Sequence, residues 1–182
     1  MKAFLPFVRA GKEAFTGVPA GTLGRLGTVT LHIVFVCSGN ICRSPMAELV
    51  FRHHLEDAGL GEAVRVSSAG TGPWHAGEPA DKRARATLKA HGYPTKHIAS
   101  EVSADDLAAD LLLAADEDHL DFLRIKVDDP AKVRLLREFD PSAPSGAEVP
   151  DPYYGGDDGF EDVLGMIERA VPALLDWVRA HL

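Results

Sequence analysis

From residue 30 onward, unbroken apolar runs alternate with stretches of helical spacing. Leu31-His32-Ile33-Val34-Phe35-Val36 carries no polar/apolar alternation, the pattern of a strand buried on both faces. Residues 45–58 place Ala47, Val50, Phe51, His54, Leu55 and Ala58 near one face of a helix. Val64-Arg65-Val66-Ser67-Ser68 predicts a second strand, and residues 81–91 a helix stopped by Gly92. Ser103 is placed to cap a short helical turn before a third strand, Leu111-Leu112-Leu113-Ala114. A helix over 117–123 leads to a fourth strand, Lys132-Val133-Arg134-Leu135-Leu136. A final helix from about Phe160 carries Val163, Leu164, Ile167, Val171, Leu174 and Val178 on one stripe. Pro172 lies inside that stripe and should kink the helix or free the Glu168 carbonyl. Strands alternating with helices predict an α/β, three-layer sandwich: a parallel sheet with helices on both faces. Ligands of such sheets bind at the carboxyl ends of the strands, where Cys37 stands.

Composition narrows the class without naming a chemistry. The 182 residues are 46% hydrophobic and 25% charged, as in a globular domain able to bury a core. A net charge of -8 with no lysine or arginine run argues against general nucleic-acid binding. No apolar stretch reaches the roughly 18 residues of a membrane span. The two cysteines, Cys37 and Cys42, are five apart and do not form a secreted disulfide framework, so a cytoplasmic location is expected. Residues 1–28 mix Phe4, Leu5, Phe7 and Val8 with Lys2, Arg9 and Lys12, then turn glycine-rich. They make a poor signal peptide and are expected to be a flexible extension, or else a partner-binding helix around residues 2–15; the domain is expected over 29–182.

The chemistry concentrates in Cys37-Ser38-Gly39-Asn40-Ile41-Cys42-Arg43-Ser44. A strand feeding a small-residue loop that feeds a helix N-terminus is an anion site. A thiol is nucleophilic only as thiolate, the form that a helix N-terminus and a guanidinium favour. Five residues between Cys37 and Arg43 suffice to wrap backbone amides around a tetrahedral anion, with Arg43 forking onto its oxygens. Gly39 permits close approach, and Asn40 tolerates a left-handed conformation while bonding across the loop. Ser44-Pro45 reads as an N-cap followed by proline at the first helical position. A capping box would need an acid at residue 47, which is Ala47, so Ser44 is free to donate its hydroxyl to the thiolate. Zinc is disfavoured, since no second cysteine pair exists.

Cleaving a phosphate ester also requires an acid for the leaving oxygen. Asp151 lies in Val149-Pro150-Asp151-Pro152-Tyr153-Tyr154, where prolines stiffen the backbone; it could equally be a plain turn aspartate. Tyr153 and Tyr154 suit an aromatic wall beside the acid, and Trp74, in a glycine- and proline-rich loop, is a second wall candidate. The long segment 140–159, with four prolines, is itself of the functional kind.

These residues bring a family into view. The chain resembles low-molecular-weight protein tyrosine phosphatases from about residue 30 to its end, and Val36 to Glu48 matches the family's phosphate loop. Ser68-Ala69-Gly70-Thr71, Trp74, Gly77 and Asp81 match the second loop, and Asp151-Pro152-Tyr153-Tyr154-Gly155 the acid loop. The resemblance implies a four-stranded parallel sheet, no cofactor, no metal, and phosphotyrosine proteins as substrates; the sequence does not fix the oligomeric state, and a monomer is the expectation. It implies that Cys37 attacks phosphorus to form a phosphocysteine while Asp151 protonates the leaving phenolate, then serves as base for water. Arg43 and the loop residues Ser38, Gly39, Asn40, Ile41, Cys42 and Ser44 would hold phosphate or similar anions, with Trp74, Tyr153 and Tyr154 around the ring. Cys42 is implied as a reversible disulfide partner of Cys37 under oxidation. Two departures touch supporting residues: Ala114-Ala115-Asp116, where many members carry methionine before the aspartate, and His97-Ile98-Ala99-Ser100, which lacks an arginine often found there. Arsenate reductases of the same fold need further cysteines that this chain lacks, and arginine phosphatases tend to have threonine where Ile41 stands. A silent phosphotyrosine-binding module would usually have lost the cysteine, the arginine or the acid; all three remain.

Overall fold

A computed structural model describes residues 31–182; the expectations for residues 1–28 lie outside the described residues. Four strands form one parallel sheet: β1 (Leu31–Cys37), β2 (Val64–Gly70), β3 (Leu111–Ala114) and β4 (Val133–Leu135), in the order β2-β1-β3-β4. The helices are α1 (Arg43–Asp57), α2 (Lys82–Ala90), α3 (Ala104–Leu107), α4 (Glu117–Arg124) and α5 (Asp158–His181). β1 is central, paired in register with β2 from Leu31↔Val64 to Cys37↔Gly70 and with β3 from Ile33↔Leu111 to Val36↔Ala114.

The strand period of two assigns successive side chains to opposite cores. Leu31, Ile33, Phe35, Leu111 and Leu113 pack with residues of α1, α2 and α5. Val34, Val36, Leu112, Ala114, Val133 and Leu135 pack with Leu120 and Leu123 of α4. Every residue of β1 is buried, which is why its sequence shows no alternation.

Helix boundaries depart from the sequence reading where tertiary contacts intervene. α1 begins at Arg43, with Cys42 at its N-cap position and no side-chain cap, so Ser44 is not the cap. The first helical bond runs from Met46 N–H to the Cys42 carbonyl at 3.2 Å, and Pro45, in the first turn, loses only an N–H that has no helical partner. Burial in α1 is not one-sided: Arg43 through Phe51 are all buried, whereas His54 and Ala58 are not. The two first turns are enclosed by the sheet, α5 and the loops. α5 runs through Pro172 without interruption. Pro172 is exposed, so water can take the carbonyl that it frees. The fourth strand is shorter than expected, flanked by 3₁₀ turns at Pro130–Lys132 and Leu136–Phe139.

The sheet's carboxyl edge is where the chain is tightest. A Cβ on Gly70 would meet the Ser38 carbonyl oxygen at 2.6 Å and the Gly72 carbonyl oxygen at 3.1 Å. Both are backbone atoms, so no rotamer change can make room. Gly70→Ala is expected to destabilise the fold by about 1–3 kcal/mol. At roughly 2–4 °C per kcal/mol, calorimetry should show a melting point several degrees lower; an unchanged melting point would refute this close packing.

Candidate active site

The segment from Cys37 to Arg43 turns around the end of β1 and enters α1. Its carbonyls bond outward. Those of Cys37 and Ser38 accept from Thr71 and Gly72 N–H at 2.9 and 3.3 Å, and that of Ile41 from Asp81 N–H at 2.8 Å. His97 Nε2 lies 3.0 Å from the Asn40 carbonyl, and the Cys42 carbonyl serves the helix. In a trans peptide the N–H opposes the C=O, so outward carbonyls turn the following amides toward the loop's centre.

Asn40 makes this winding possible. Its φ of 55° is the only positive value for a non-glycine residue among those described. The amide Nδ2 donates to Ser44 Oγ at 2.8 Å and Ser68 Oγ at 2.9 Å, while Oδ1 accepts from Ser100 N–H at 2.9 Å. Ser68 Oγ donates to Glu48 Oε2 at 2.6 Å, and His97 Nδ1 lies 3.4 Å from the same oxygen. Burial alone would push the Glu48 carboxyl up; the hydrogen bonds from His97 and Ser68, with the charge of Arg52, outweigh it and hold Glu48 below its ordinary value.

Cys37 is buried at the floor, with Sγ 3.0 Å from Ser44 Oγ. Cys42 is equally buried but differently poised. Burial first, then the charges of Asp81, Cys37 and Asp151, push its thiol up to about 12. Both thiols are free.

Arg43 is buried and braced on both sides. Nη1 donates to Asp116 Oδ2 at 2.8 Å and to the Val149 carbonyl at 3.1 Å. Nη2 donates to Asp151 Oδ2 at 3.2 Å, while Nε is buried without a partner. Asp116 is the N-cap of α4. Burial acts to raise its carboxyl, but contacts with His119 and Arg43 prevail and hold it well below the carboxylate range. Asp151 is both a turn residue and a site residue: Oδ1 accepts from Tyr153 N–H at 3.1 Å while Oδ2 faces Arg43. Its loop is held by Arg83, which donates to the Tyr153 and Gly155 carbonyls at 3.2 and 3.4 Å and pairs with Asp81 at 3.0 Å.

The resulting cleft, about 460 Å³, is lined by Cys37, Ser38, Gly39, Ile41, Cys42, Arg43, Trp74, His75, Asp151, Tyr153 and Tyr154. The side chains of Asn40 and Ser44 are buried behind the loop and shape it, as expected of the cross-loop bonding of Asn40. Gly39 does allow a close approach, but of His75, whose Cδ2 a Cβ there would meet at 2.8 Å. Trp74 and Tyr154 stand in the rim, 68% and 89% exposed. The sequence reading missed His75, Arg83 and His119, and assigned no role to Glu48 or Asp116 beyond the family match. Asp116 and His119 had one signal available: an Asp opening a helix directly after a strand that ends at the ligand edge. No helix among the described residues is long and apolar enough to cross a membrane.

Comparison with known proteins agrees with this architecture. The profile of the low molecular weight phosphotyrosine protein phosphatases matches residues 32–182. Low molecular weight protein-tyrosine phosphatase A of Mycobacterium tuberculosis is 55% identical over 153 residues, 84% of this chain and 94% of that protein. The human low molecular weight phosphotyrosine protein phosphatase is 40% identical over 157 residues, covering 84% and 97%. A crystal structure of a protein tyrosine phosphatase from Entamoeba histolytica superposes with a TM-score of 0.78 at 35% identity, over 82% of this chain and 97% of that one. The chain therefore belongs to the low molecular weight phosphotyrosine protein phosphatase family.

Proposed function

We propose that this phosphatase hydrolyses phosphotyrosine in proteins through a phosphocysteine on Cys37. The observation that carries the reading is Arg43: a buried guanidinium beside the thiol whose Nε has no hydrogen-bond partner and whose Nη2 is held by a displaceable carboxylate and a longer bond to Ser38 Oγ. A phosphoryl group entering the loop would take these donors and the inward amides on its equatorial oxygens. Asp151, released from Arg43, takes up a proton from solvent; Cys37 thiolate then attacks phosphorus in line while Asp151 passes that proton to the leaving phenolate. Water, deprotonated by the same carboxylate, attacks the phosphocysteine and returns the thiolate. Ser44 Oγ, 3.0 Å from Sγ, can donate to the sulfur when it leaves as thiolate. Trp74, Tyr153 and Tyr154 give the aryl group an apolar surround, and Ile41 adds to it from the loop. Cys42 is the candidate partner for Cys37 under oxidation, since both thiols belong to one short loop.

Purified protein should release phosphate from p-nitrophenyl phosphate and phosphotyrosine peptides in the presence of a chelator. Cys37→Ser should lower kcat by at least about a thousandfold. Asp151→Asn should lower kcat by about 10²–10⁴-fold while vanadate still binds. Release of phosphate by Cys37→Ser at the parent rate would exclude the phosphocysteine route, and parallel loss of vanadate binding in Asp151→Asn would exclude the acid.

The two thiols should also separate chemically. Because burial keeps Cys42 protonated up to about pH 12, iodoacetamide at pH 7–8 should modify Cys37 alone, and phosphate should slow the reaction. Mass spectrometry of the digested protein reads this directly. Comparable labelling of Cys42 would contradict the assignment.

A further inference from the structure

His119 is 4% exposed and lies on α4, a helix that packs its apolar residues under the far side of the sheet. A buried histidine that merely completed a core would face apolar neighbours. This one faces the phosphate loop. Its Nε2 lies 2.9 Å from Ser38 Oγ, the side chain next to the nucleophile, and its Nδ1 lies 2.6 Å from Asp116 Oδ1. The second approach is close but poorly directed, since Nδ1 meets no acceptor at a good hydrogen-bond angle.

The donors and acceptors close into a ring. Arg43 Nη2 donates to Ser38 Oγ at 3.4 Å. The Ser38 hydroxyl proton is then free to point at His119 Nε2, which accepts it when the imidazole carries its proton on Nδ1, toward Asp116. Asp116 Oδ2 in turn accepts from Arg43 Nη1 at 2.8 Å. Both terminal nitrogens of the guanidinium are thus reached, one directly by Asp116 and the other through Ser38 and His119. The α4 cap supports the arrangement, since His119 N–H donates to Asp116 Oδ1 at 3.1 Å.

The geometry points to His119 as a positioning residue for Arg43, acting through Ser38 and Asp116 to hold the guanidinium plane when Asp151 leaves Nη2. Nη2 has two partners in the site, Asp151 and Ser38. Substrate displaces the first and leaves the second. Without the Ser38–His119 arm, Arg43 keeps only its Nη1 contacts and can rotate about them, and misalignment matters most for the planar phosphoryl group of the transition state. The inference rests on the phosphatase reading above.

Its test uses Ser38→Ala, His119→Phe and the double substitution, assayed on p-nitrophenyl phosphate with inhibition by vanadate, which adopts the five-coordinate geometry, and by phosphate, which does not. Each single substitution should lower kcat about tenfold with KM little moved, the loss of about one hydrogen bond. Vanadate inhibition should weaken by a similar factor and phosphate inhibition by less. The double variant should also be about tenfold down, because both changes open the same ring. Losses that multiply to about a hundredfold, turnover at the parent level in both single variants, or a lower melting point with an unchanged vanadate-to-phosphate ratio would each overturn the proposal. Should His119→Phe not fold, the ratio in Ser38→Ala decides alone. If the parent protein releases no phosphate, the phosphatase reading fails first; if it turns over but ignores these substitutions, only the positioning role fails.

Discussion

The side-chain amide of Asn40 holds the site in shape. It is fully buried, so each unmet bond would cost the desolvation of a polar group, and its neighbours meet both of its ends. Ser44, Ser68 and the Ser100 amide converge from α1, β2 and the segment after α2, elements far apart in sequence. Through them the left-handed turn at Asn40 becomes a property of the folded domain rather than of a local loop. The outward carbonyls and inward amides follow from that turn, and so does the approach of Ser44 to Cys37. Glu48 and His97 close the network beneath, with Glu48 ionised and hydrogen-bonded rather than neutral.

Around this frame the electrostatics are arranged asymmetrically. Two cysteines five residues apart are both buried at the same cleft, yet Cys42 is held as a thiol by low dielectric and nearby acids, while Cys37 has a hydroxyl beside its sulfur. Two aspartates contact Arg43, and they too differ. Asp116 is fixed by its capping role and by His119, whereas Asp151 sits on a proline-bounded loop, 37% exposed, with Arg83 supporting the backbone behind it. One carboxylate is built in; the other can move.

Much of this was legible along the chain. The unbroken apolar run of β1 announced a strand covered on both faces, and Gly92, with φ of 81°, ended α2 where its position implied. The thiol, the arginine and the acid stood out because their spacing and residue types are chemically demanding. What stayed hidden shares a single cause: contacts that form only when distant segments meet. Ser44 read as a helix cap because Ser-Pro commonly is one, but the loop already winds into the helix and frees the hydroxyl for Cys37. The partners of Asn40 behind the loop, Ser68 and the Ser100 amide, come from segments too distant in sequence to be read from the motif. Asp116 stood out only as a supporting position of the family resemblance, and His119 lay unremarked in the helix expected over 117–123. Only the β1–β3 pairing, which sets Val36 beside Ala114, brings the start of that helix to the thiol.

The Arg43–Asp151 contact has a consequence at the other end of the cycle. Among the described residues Arg43 is the one arginine lining the cleft, and Asp116 and Asp151 both pair with it. In the proposed cycle, inorganic phosphate left after hydrolysis faces a tethered rival once Asp151 has given up the proton it took from water. Each time the product loosens, Asp151 can retake Nη2. In that cycle the group proposed to start the reaction also helps to empty the site, favouring rapid release of product over tight retention of it.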